Sequence, residues 1–192
     1  MRLVDLYRPL ENTVPADPPA LEPHIEYSDH KQSLPGVLAM FPGLEASQLP
    51  GGEAWAIARL MITTHNGTHV DAPWHFASTM NGGERAWTID EVPLDWFYRP
   101  GVKLDFREFS DGHVVTAAEV AERIGETGHE LKPLDIVLMN TRAGAAYGTP
   151  AYIDSGCGFG REATLWLLKR GVRVLGTDGK FSRGRLENRP TV

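Results

Sequence analysis

Proline and glycine limit the regular structure available to the first fifty residues of this chain. Five prolines fall between residues 9 and 23, directly after a short apolar stretch at residues 3–6. Because proline lacks a backbone N–H and interrupts helices, we expect an opening strand followed by an extended arm. Residues 33–53 remain rich in glycine and proline, which predicts loops with one short helical turn around Ala46.

Regular elements are predicted mainly beyond residue 55. Thr116 and Glu119 have the spacing of a capping box, which indicates the start of a helix. Strands alternate with helices in the second half, after a strand-rich first half, and this order favours a mixed α/β domain. The predicted strands lie at residues 56–64, 102–106, 135–141 and 172–175, and the predicted helices follow Thr116 and span residues 160–170.

Charge and cysteine content exclude several classes of function. The chain has 192 residues and a net charge of -6, which gives no bulk electrostatic support to nucleic-acid or anionic-membrane binding. No apolar run is long enough to cross a bilayer, and the amino terminus does not resemble a signal peptide. Cys157 is the only cysteine, so an intrachain disulfide is impossible. We expect a cytoplasmic protein.

Three histidines and one aspartate cluster in the segment HNGTHVDAPWHF at residues 65–76. Asn66 and Gly67 predict a tight turn, and Pro73 favours an extended backbone before it. In an extended segment, His69, Asp71 and His75 would alternate onto one side, while the turn would return His65 to the side of His69. Two imidazoles and one carboxylate are therefore expected to converge.

This set of side chains predicts a catalytic metal site. Imidazole and carboxylate groups are ligands for zinc, manganese or iron, and three protein ligands leave positions open for water and substrate. A bound cation would lower the pKa of a water molecule, and His75 could act as the general base. Trp74 and Phe76 could form the walls of a pocket for a flat substrate. The alternative is that these histidines are hydrogen-bonded structural residues near a turn.

The same segment matches the signature H-x-G-T-H-x-D-x-P-x-H-F of the cyclase-like metal-dependent hydrolases. This family includes bacterial kynurenine formamidase and isatin hydrolase. Further blocks that resemble the family are VDLYRPLENTVP, IDEVPLDWFYRPGVKLDFR, LKPLDIVLMNTRAG and GVRVLGTD. The resemblance covers about residues 1–178, which we take as one cyclase-like domain.

The resemblance implies an α/β fold of the mixed-sheet swivelling β/β/α type. It places His65, His69 and Asp71 on metal-ligand positions and His75 on the position of the catalytic histidine. It implies hydrolysis of small aryl formamides, such as N-formylkynurenine in tryptophan catabolism, or of cyclic amides. The implied cofactor is a divalent metal, zinc or manganese, and the implied assembly is a homodimer or larger homo-oligomer.

The carboxyl-terminal segment departs from the family pattern. Similar proteins continue past Asp178 into a region that supplies a histidine and a glutamate to a second metal, whereas this sequence has no histidine after His129. Residues 179–192 are basic and are predicted to form a flexible tail. We therefore expect a truncated or altered member of the family. The alternative function is a catalytically inactive member that only binds metal or oligomerises.

Overall fold

The computed structural model of the protein describes residues 7–179, with residues 1–6 and 180–192 outside it. The described chain forms two compact units. One comprises residues 7–14 and 19–69, and the other comprises residues 15–18 and 70–179. The strand predicted at residues 3–6 and the tail from Lys180 onwards lie outside the described residues. The domain boundary at residue 178 therefore stays a prediction.

The first unit contains an antiparallel pair of strands. β1 (His24–Ser28) pairs with β2 (Ile57–Met61), and Ile25 lies opposite Leu60. The side chain of Asn12 accepts a hydrogen bond from the Ile25 N–H at 2.8 Å and donates one to the Ile25 carbonyl at 2.7 Å. These two bonds attach the segment before β1 to the strand itself. β2 lies within the strand predicted at residues 56–64.

The prediction of loops throughout residues 33–53 is wrong at its start, where α1 (Leu34–Met40) forms. Pro35 lies in the first turn of this helix, where a missing N–H removes no intrahelical hydrogen bond. The turn predicted around Ala46 is present as a short 3-10 helix. The 3-10 helices of this unit are Pro19–Leu21, Ala46–Gln48 and Pro50–Gly52.

The second unit contains all the parallel strand pairs of the described chain. Its helices and strands are α2 (Pro73–Phe76), β3 (Thr79–Met80), β4 (Glu84–Arg85), β5 (Gly101–Asp105), β6 (Val114–Val115), α3 (Ala117–Thr127), β7 (Ile136–Asn140), α4 (Ala143–Ala146), β8 (Gly158–Phe159), α5 (Arg161–Lys169) and β9 (Val174–Thr177). β7 lies between β5 and β9 in a three-stranded parallel sheet. β3 pairs with β4 antiparallel, and β6 pairs with β8 parallel. Its 3-10 helices are Ile89–Glu91, Leu94–Trp96 and Pro150–Asp154.

The core of the second unit lies around this parallel sheet. Leu104 of β5 and Val137 of β7 are fully buried, as are Val120 of α3 and Leu167 of α5. Burial of side chains of this size stabilises a fold by about 1.5–3 kcal/mol each. Apolar burial therefore holds α3 and α5 with the sheet.

The start of α3 confirms the predicted capping box. Thr116 Oγ1 accepts a hydrogen bond from the Glu119 N–H at 3.3 Å, and Glu119 Oε2 accepts one from the Thr116 N–H at 2.7 Å. These bonds satisfy two N–H groups that a helix start otherwise leaves without a helical partner. The helix ends at Thr127 and is capped by Gly128, whose φ of 67° is the left-handed conformation favoured by glycine.

The mixed α/β class expected from the sequence is confirmed. β5, β7 and α5 each form within one residue of the predicted start, whereas β9 begins two residues later than predicted, at Val174. Val172, where that strand was predicted to begin, is fully buried but unpaired in the sheet register. Between residues 7 and 179 there is no helix with the length and apolar character needed to cross a membrane.

Candidate metal centre

The candidate metal centre is built on the turn that follows β2. The Asn66 N–H donates a hydrogen bond to the Thr63 carbonyl at 3.3 Å, and Asn66 Oδ1 accepts one from the Thr63 N–H at 2.6 Å, so backbone and side chain together close the turn. Gly67 adopts a φ of 64°, a conformation that side chains with a Cβ disfavour. The hydrogen-bonded turn spans Thr63–Asn66 and includes His65, two residues before the turn that the Asn-Gly pair predicts, and Gly67 then bends the chain towards His69.

The structure brings three of the predicted site residues together. His65 Nδ1 and His69 Nε2 are 3.3 Å apart. One ligand atom from each of His65, His69 and Asp71 lies within 4.8 Å of the other two. All three residues fall within seven consecutive positions, so they are close in space because they are close in sequence.

The hydrogen bond made by His69 identifies the nitrogen that it presents to the cluster. His69 Nδ1 lies 2.9 Å from the Gly67 carbonyl oxygen, which can only accept a hydrogen bond. Nδ1 therefore carries the proton, and in the neutral ring Nε2 holds a lone pair directed to the side of His65. Metal-binding histidines characteristically donate their second ring N–H in this way, because the bond fixes both the tautomer and the ring orientation.

The donor set fits a divalent metal ion. Zinc–nitrogen bonds of about 2.0–2.1 Å in a tetrahedral site place two ligand nitrogens about 3.3 Å apart, which matches the separation of the two imidazole nitrogens here. Two imidazoles and one carboxylate suit zinc or manganese, and the donor types do not choose between the two metals. His65 and Asp71 are only partly buried and His69 is exposed, so solvent reaches the cluster.

His75 lies in a different local structure from the one expected. Residues 73–76 form the single helical turn α2, so the alternation predicted to continue through His75 ends at Ala72. Proline at the start of this turn supplies a φ suited to a helix, which explains why the extended backbone stops there. The His75 ring packs edge-on against Phe76, with ring centroids 4.9 Å apart. The catalytic role of His75 stays a prediction.

α2 itself carries two exposed aromatic side chains. Trp74 and Phe76 are each about half exposed, at 49% and 53%. The Trp74 N–H donates a hydrogen bond to the Trp87 carbonyl at 3.0 Å, and the Trp87 ring lies 6.0 Å from that of Trp96. Both rings are exposed next to His75, and their predicted role as walls of a pocket for a flat substrate stays a prediction.

Sequence reasoning missed the residues that support the turn. The Arg8 N–H donates to Thr68 Oγ1 at 3.0 Å, and a Cβ placed on Gly67 would lie 2.8 Å from a methyl carbon of Leu10. Asn66 is buried and bonds the carbonyl of Leu21. The Asn-Gly pair predicted a turn, but no local signal indicated that the Asn66 side chain bonds Leu21, which lies 45 positions earlier.

Comparison with known proteins places these features in a family. Residues 4–180 match the family model described as "Putative cyclase". Isatin hydrolase A from Labrenzia aggregata bound to benzyl benzoate is 25% identical and superimposes with a TM-score of 0.65, over 92% of this chain and 67% of that chain.

Two further solved structures share the fold. An isatin hydrolase bound to the product analogue thioisatinate is 19% identical, with a TM-score of 0.56 over 80% of this chain and 66% of that chain. A potential metal-dependent hydrolase with cyclase activity is 17% identical, with a TM-score of 0.54 over 94% of this chain and 71% of that chain. This chain spans slightly less than two thirds of the length of the thioisatinate-bound isatin hydrolase.

Proposed function

This chain belongs to the cyclase family, and from that membership we propose that it is a metal-dependent hydrolase of non-peptide carbon–nitrogen bonds. The substrate class is an aryl formamide of the N-formylkynurenine type or a cyclic amide. The similarity to isatin hydrolase A favours the cyclic amide, because isatin is itself a cyclic amide. The single observation that carries the proposal is the convergence of His65, His69 and Asp71.

In this proposal His65, His69 and Asp71 hold a zinc or manganese ion. An ion held there would supply Lewis-acid polarisation of the carbonyl group and would make a water molecule easier to deprotonate. The Gly67 carbonyl keeps the His69 ring in the tautomer that leaves Nε2 available. His75 takes a proton from the attacking water and delivers it to the departing nitrogen, a role for which the two ring nitrogens of histidine are suited.

The aromatic side chains contribute to substrate binding in this proposal. Trp74 and Phe76 flank His75 in the sequence and expose about half of their surface. Stacking of a flat aromatic substrate on such a ring orients its carbonyl, and aromatic pairs contribute about 0.5–1.5 kcal/mol beyond burial alone. An aryl substrate is therefore favoured over an aliphatic amide.

Homo-oligomeric assembly and a cytoplasmic location are also part of the proposal. β2 is exposed along its whole length, and its side chains include the apolar residues Ile57, Leu60 and Met61. Exposed apolar strands of this kind are commonly covered by another chain. Light scattering coupled to size exclusion measures the assembly directly, and a mass of 21.2 kDa per particle would contradict the oligomer.

The function is tested by hydrolysis of isatin and of N-formylkynurenine, each followed by its absorbance change, with protein loaded with Zn²⁺ or Mn²⁺. We expect turnover of at least one substrate and its loss on chelation with EDTA. Replacing His75 with alanine should lower kcat by about 10²–10⁴-fold while metal content is retained, because general acid–base catalysis contributes about that much.

His24→Ala is the matched control, since His24 is an exposed histidine of β1 outside the cluster. It should leave both the rate and the metal content unchanged. Metal binding without turnover of either substrate would instead favour the inactive, metal-binding alternative. Full metal content in the double variant His65→Ala/His69→Ala would contradict the site itself.

A further inference from the structure

We propose that Asn66 is a positioning residue that sets the geometry of the metal ligands on either side of it. The assignment rests on the proposed metal site and adds to it a residue that touches neither the ion nor the substrate. Asn66 lies between His65 and His69 in the sequence and is 7% exposed. A buried side-chain amide needs hydrogen-bond partners for both its donor and its acceptor ends, so its contacts restrict the backbone strongly.

The amide of Asn66 connects the turn to two other parts of the first unit. Its Oδ1 accepts hydrogen bonds from the Thr63 N–H at 2.6 Å and from the Thr63 hydroxyl at 3.2 Å. Its Nδ2 donates to the carbonyl of Leu21 at 2.7 Å. The acceptor end therefore closes the turn, and the donor end attaches that turn to the 3-10 helix Pro19–Leu21.

These contacts lead directly to both histidines. The Thr63 hydroxyl that bonds Asn66 also accepts a hydrogen bond from the His65 N–H at 3.4 Å. On the other side, the neighbouring Gly67 provides the carbonyl that orients the His69 ring. Asn66 therefore connects both ligands. Its side chain bonds the Thr63 hydroxyl that accepts the His65 N–H, and its peptide bond joins it to Gly67, whose carbonyl orients the His69 ring.

Alanine at this position would remove both ends of the link. The turn would then close without a side-chain acceptor for the Thr63 N–H, and it would lose its attachment to the Leu21 carbonyl. Metal binding requires His65 and His69 to adopt one fixed arrangement. A more flexible turn adopts that arrangement less often, so the affinity for the ion is lower. Loss of an outer hydrogen-bonding partner of a metal ligand typically weakens metal binding about 10–100-fold.

The test compares Zn²⁺ affinity and the visible spectrum of bound Co²⁺ in the wild-type chain, Asn66→Ala and Asn140→Ala. Asn140 is the matched control, because its partly buried amide donates to Asp178 at 2.9 Å but lies at the end of β7, far in sequence from the turn. We expect Asn66→Ala to weaken Zn²⁺ binding at least about 10-fold and to change the Co²⁺ spectrum. Asn140→Ala should lower thermal stability without altering either readout.

Unchanged affinity and an unchanged Co²⁺ spectrum in a folded Asn66→Ala protein would overturn the assignment and leave Asn66 with a structural role only. If that variant does not fold, Asn66→Ser gives the same test, because a serine hydroxyl can accept the Thr63 N–H but is too short to replace the amide that bonds Leu21. A measurable but smaller loss of affinity is expected, because only the bond to Leu21 is removed, and wild-type affinity in Asn66→Ser would overturn the proposal.

Failure of the proposed function gives a different result. A wild-type chain that binds Zn²⁺ but hydrolyses neither isatin nor N-formylkynurenine contradicts the hydrolase and leaves the role of Asn66 measurable. A wild-type chain that binds no Zn²⁺ contradicts the metal site and, with it, the positioning role.

Discussion

Gly67 is the residue of the candidate site at which backbone conformation and packing are both most restrictive. Its φ is 64°, and a Cβ added there would lie 2.8 Å from Leu10 Cδ2. We expect Gly67→Ala to lower the free energy of unfolding by about 1–3 kcal/mol, because the residue would be both strained and crowded. Urea unfolding followed by fluorescence or circular dichroism measures the loss.

Gly82 separates the conformational effect from the packing effect. Its φ is 81°, but nothing lies within 4 Å of a Cβ placed on it. Gly82→Ala should therefore cost only the backbone strain, about 1 kcal/mol, and less than the change at Gly67. Equal losses in the two variants would show that Leu10 moves aside freely and does not support the turn.

At the scale of single residues, the candidate cluster was predictable because it is local. His65, His69 and Asp71 lie within seven positions, and the Asn-Gly pair between the histidines indicated a turn two residues after the one that forms. The extended backbone predicted at His75 is wrong. Pro73 restricts only the residue before it, Ala72, and does not keep the residues after it extended. Pro73 in fact begins α2. The bond from Asn66 to Leu21 had no local signal.

At the scale of elements, the capping box of α3 provides a direct test of local stabilisation. Thr116→Ala removes the hydroxyl that accepts the Glu119 N–H, and helix caps of this kind stabilise proteins by about 1 kcal/mol. We expect that loss in the free energy of unfolding, measured by urea titration at pH 7. The helix should stay formed, because Val120 and Ile124 remain buried against the core.

Thr88 is the matched control, since it makes the same box with Glu91 at the start of a 3-10 helix of only three residues. Thr88→Ala should cost less than Thr116→Ala, because only α3 carries buried residues behind its cap. A loss at Thr88 as large as that at Thr116 would contradict the view that a cap stabilises the helix packed behind it.

Elements with a strong periodic or capping signal were predicted, and elements that depend on distant partners were not. β5 alternates as a half-buried strand does, and the Thr116–Glu119 pair indicated α3. β1 has only one β-branched residue, Ile25, and exists because β2 pairs with it. α1 was missed because its one proline and one glycine indicated a loop, although a proline in the first turn of a helix is compatible with helical structure.

Carboxylates with lowered pKa values make the whole protein less stable at acid pH. Hydrogen bonds from Arg107 lower the pKa of Asp105 to about 2, and those from Arg85 lower the pKa of Glu91 to about 2. A carboxyl group with a lowered pKa in the folded state stabilises the fold above its unfolded pKa, near 4. That stability is lost as the pH falls towards the folded value, so the free energy of unfolding should decrease between about pH 4.5 and 2.

Asp135 is the buried member of this set. Burial raises the pKa of its carboxyl group, but hydrogen bonds from the Lys132 N–H at 2.8 Å and from His129 Nε2 at 2.7 Å outweigh that effect, and the net pKa is lowered. The bond from His129 joins the start of the α3–β7 connection to its end, where Asp135 directly precedes β7. The stability that Asp135 contributes should therefore be complete above about pH 4 and decline below it.

Asp135→Asn tests this origin of acid sensitivity. The Asp135 side chain is 3% exposed, so loss of its charge-assisted bonds should lower the free energy of unfolding by about 1–3 kcal/mol at pH 7. The decline of stability below pH 4 should also become shallower. Asp105→Asn, at an exposed ion pair, should cost only about 0–1 kcal/mol at pH 7. Unfolding titrations at pH 7, 4 and 3 measure both effects. An unchanged pH dependence in Asp135→Asn would assign the acid sensitivity to the exposed carboxylates, whose partners lie at the surface of the molecule.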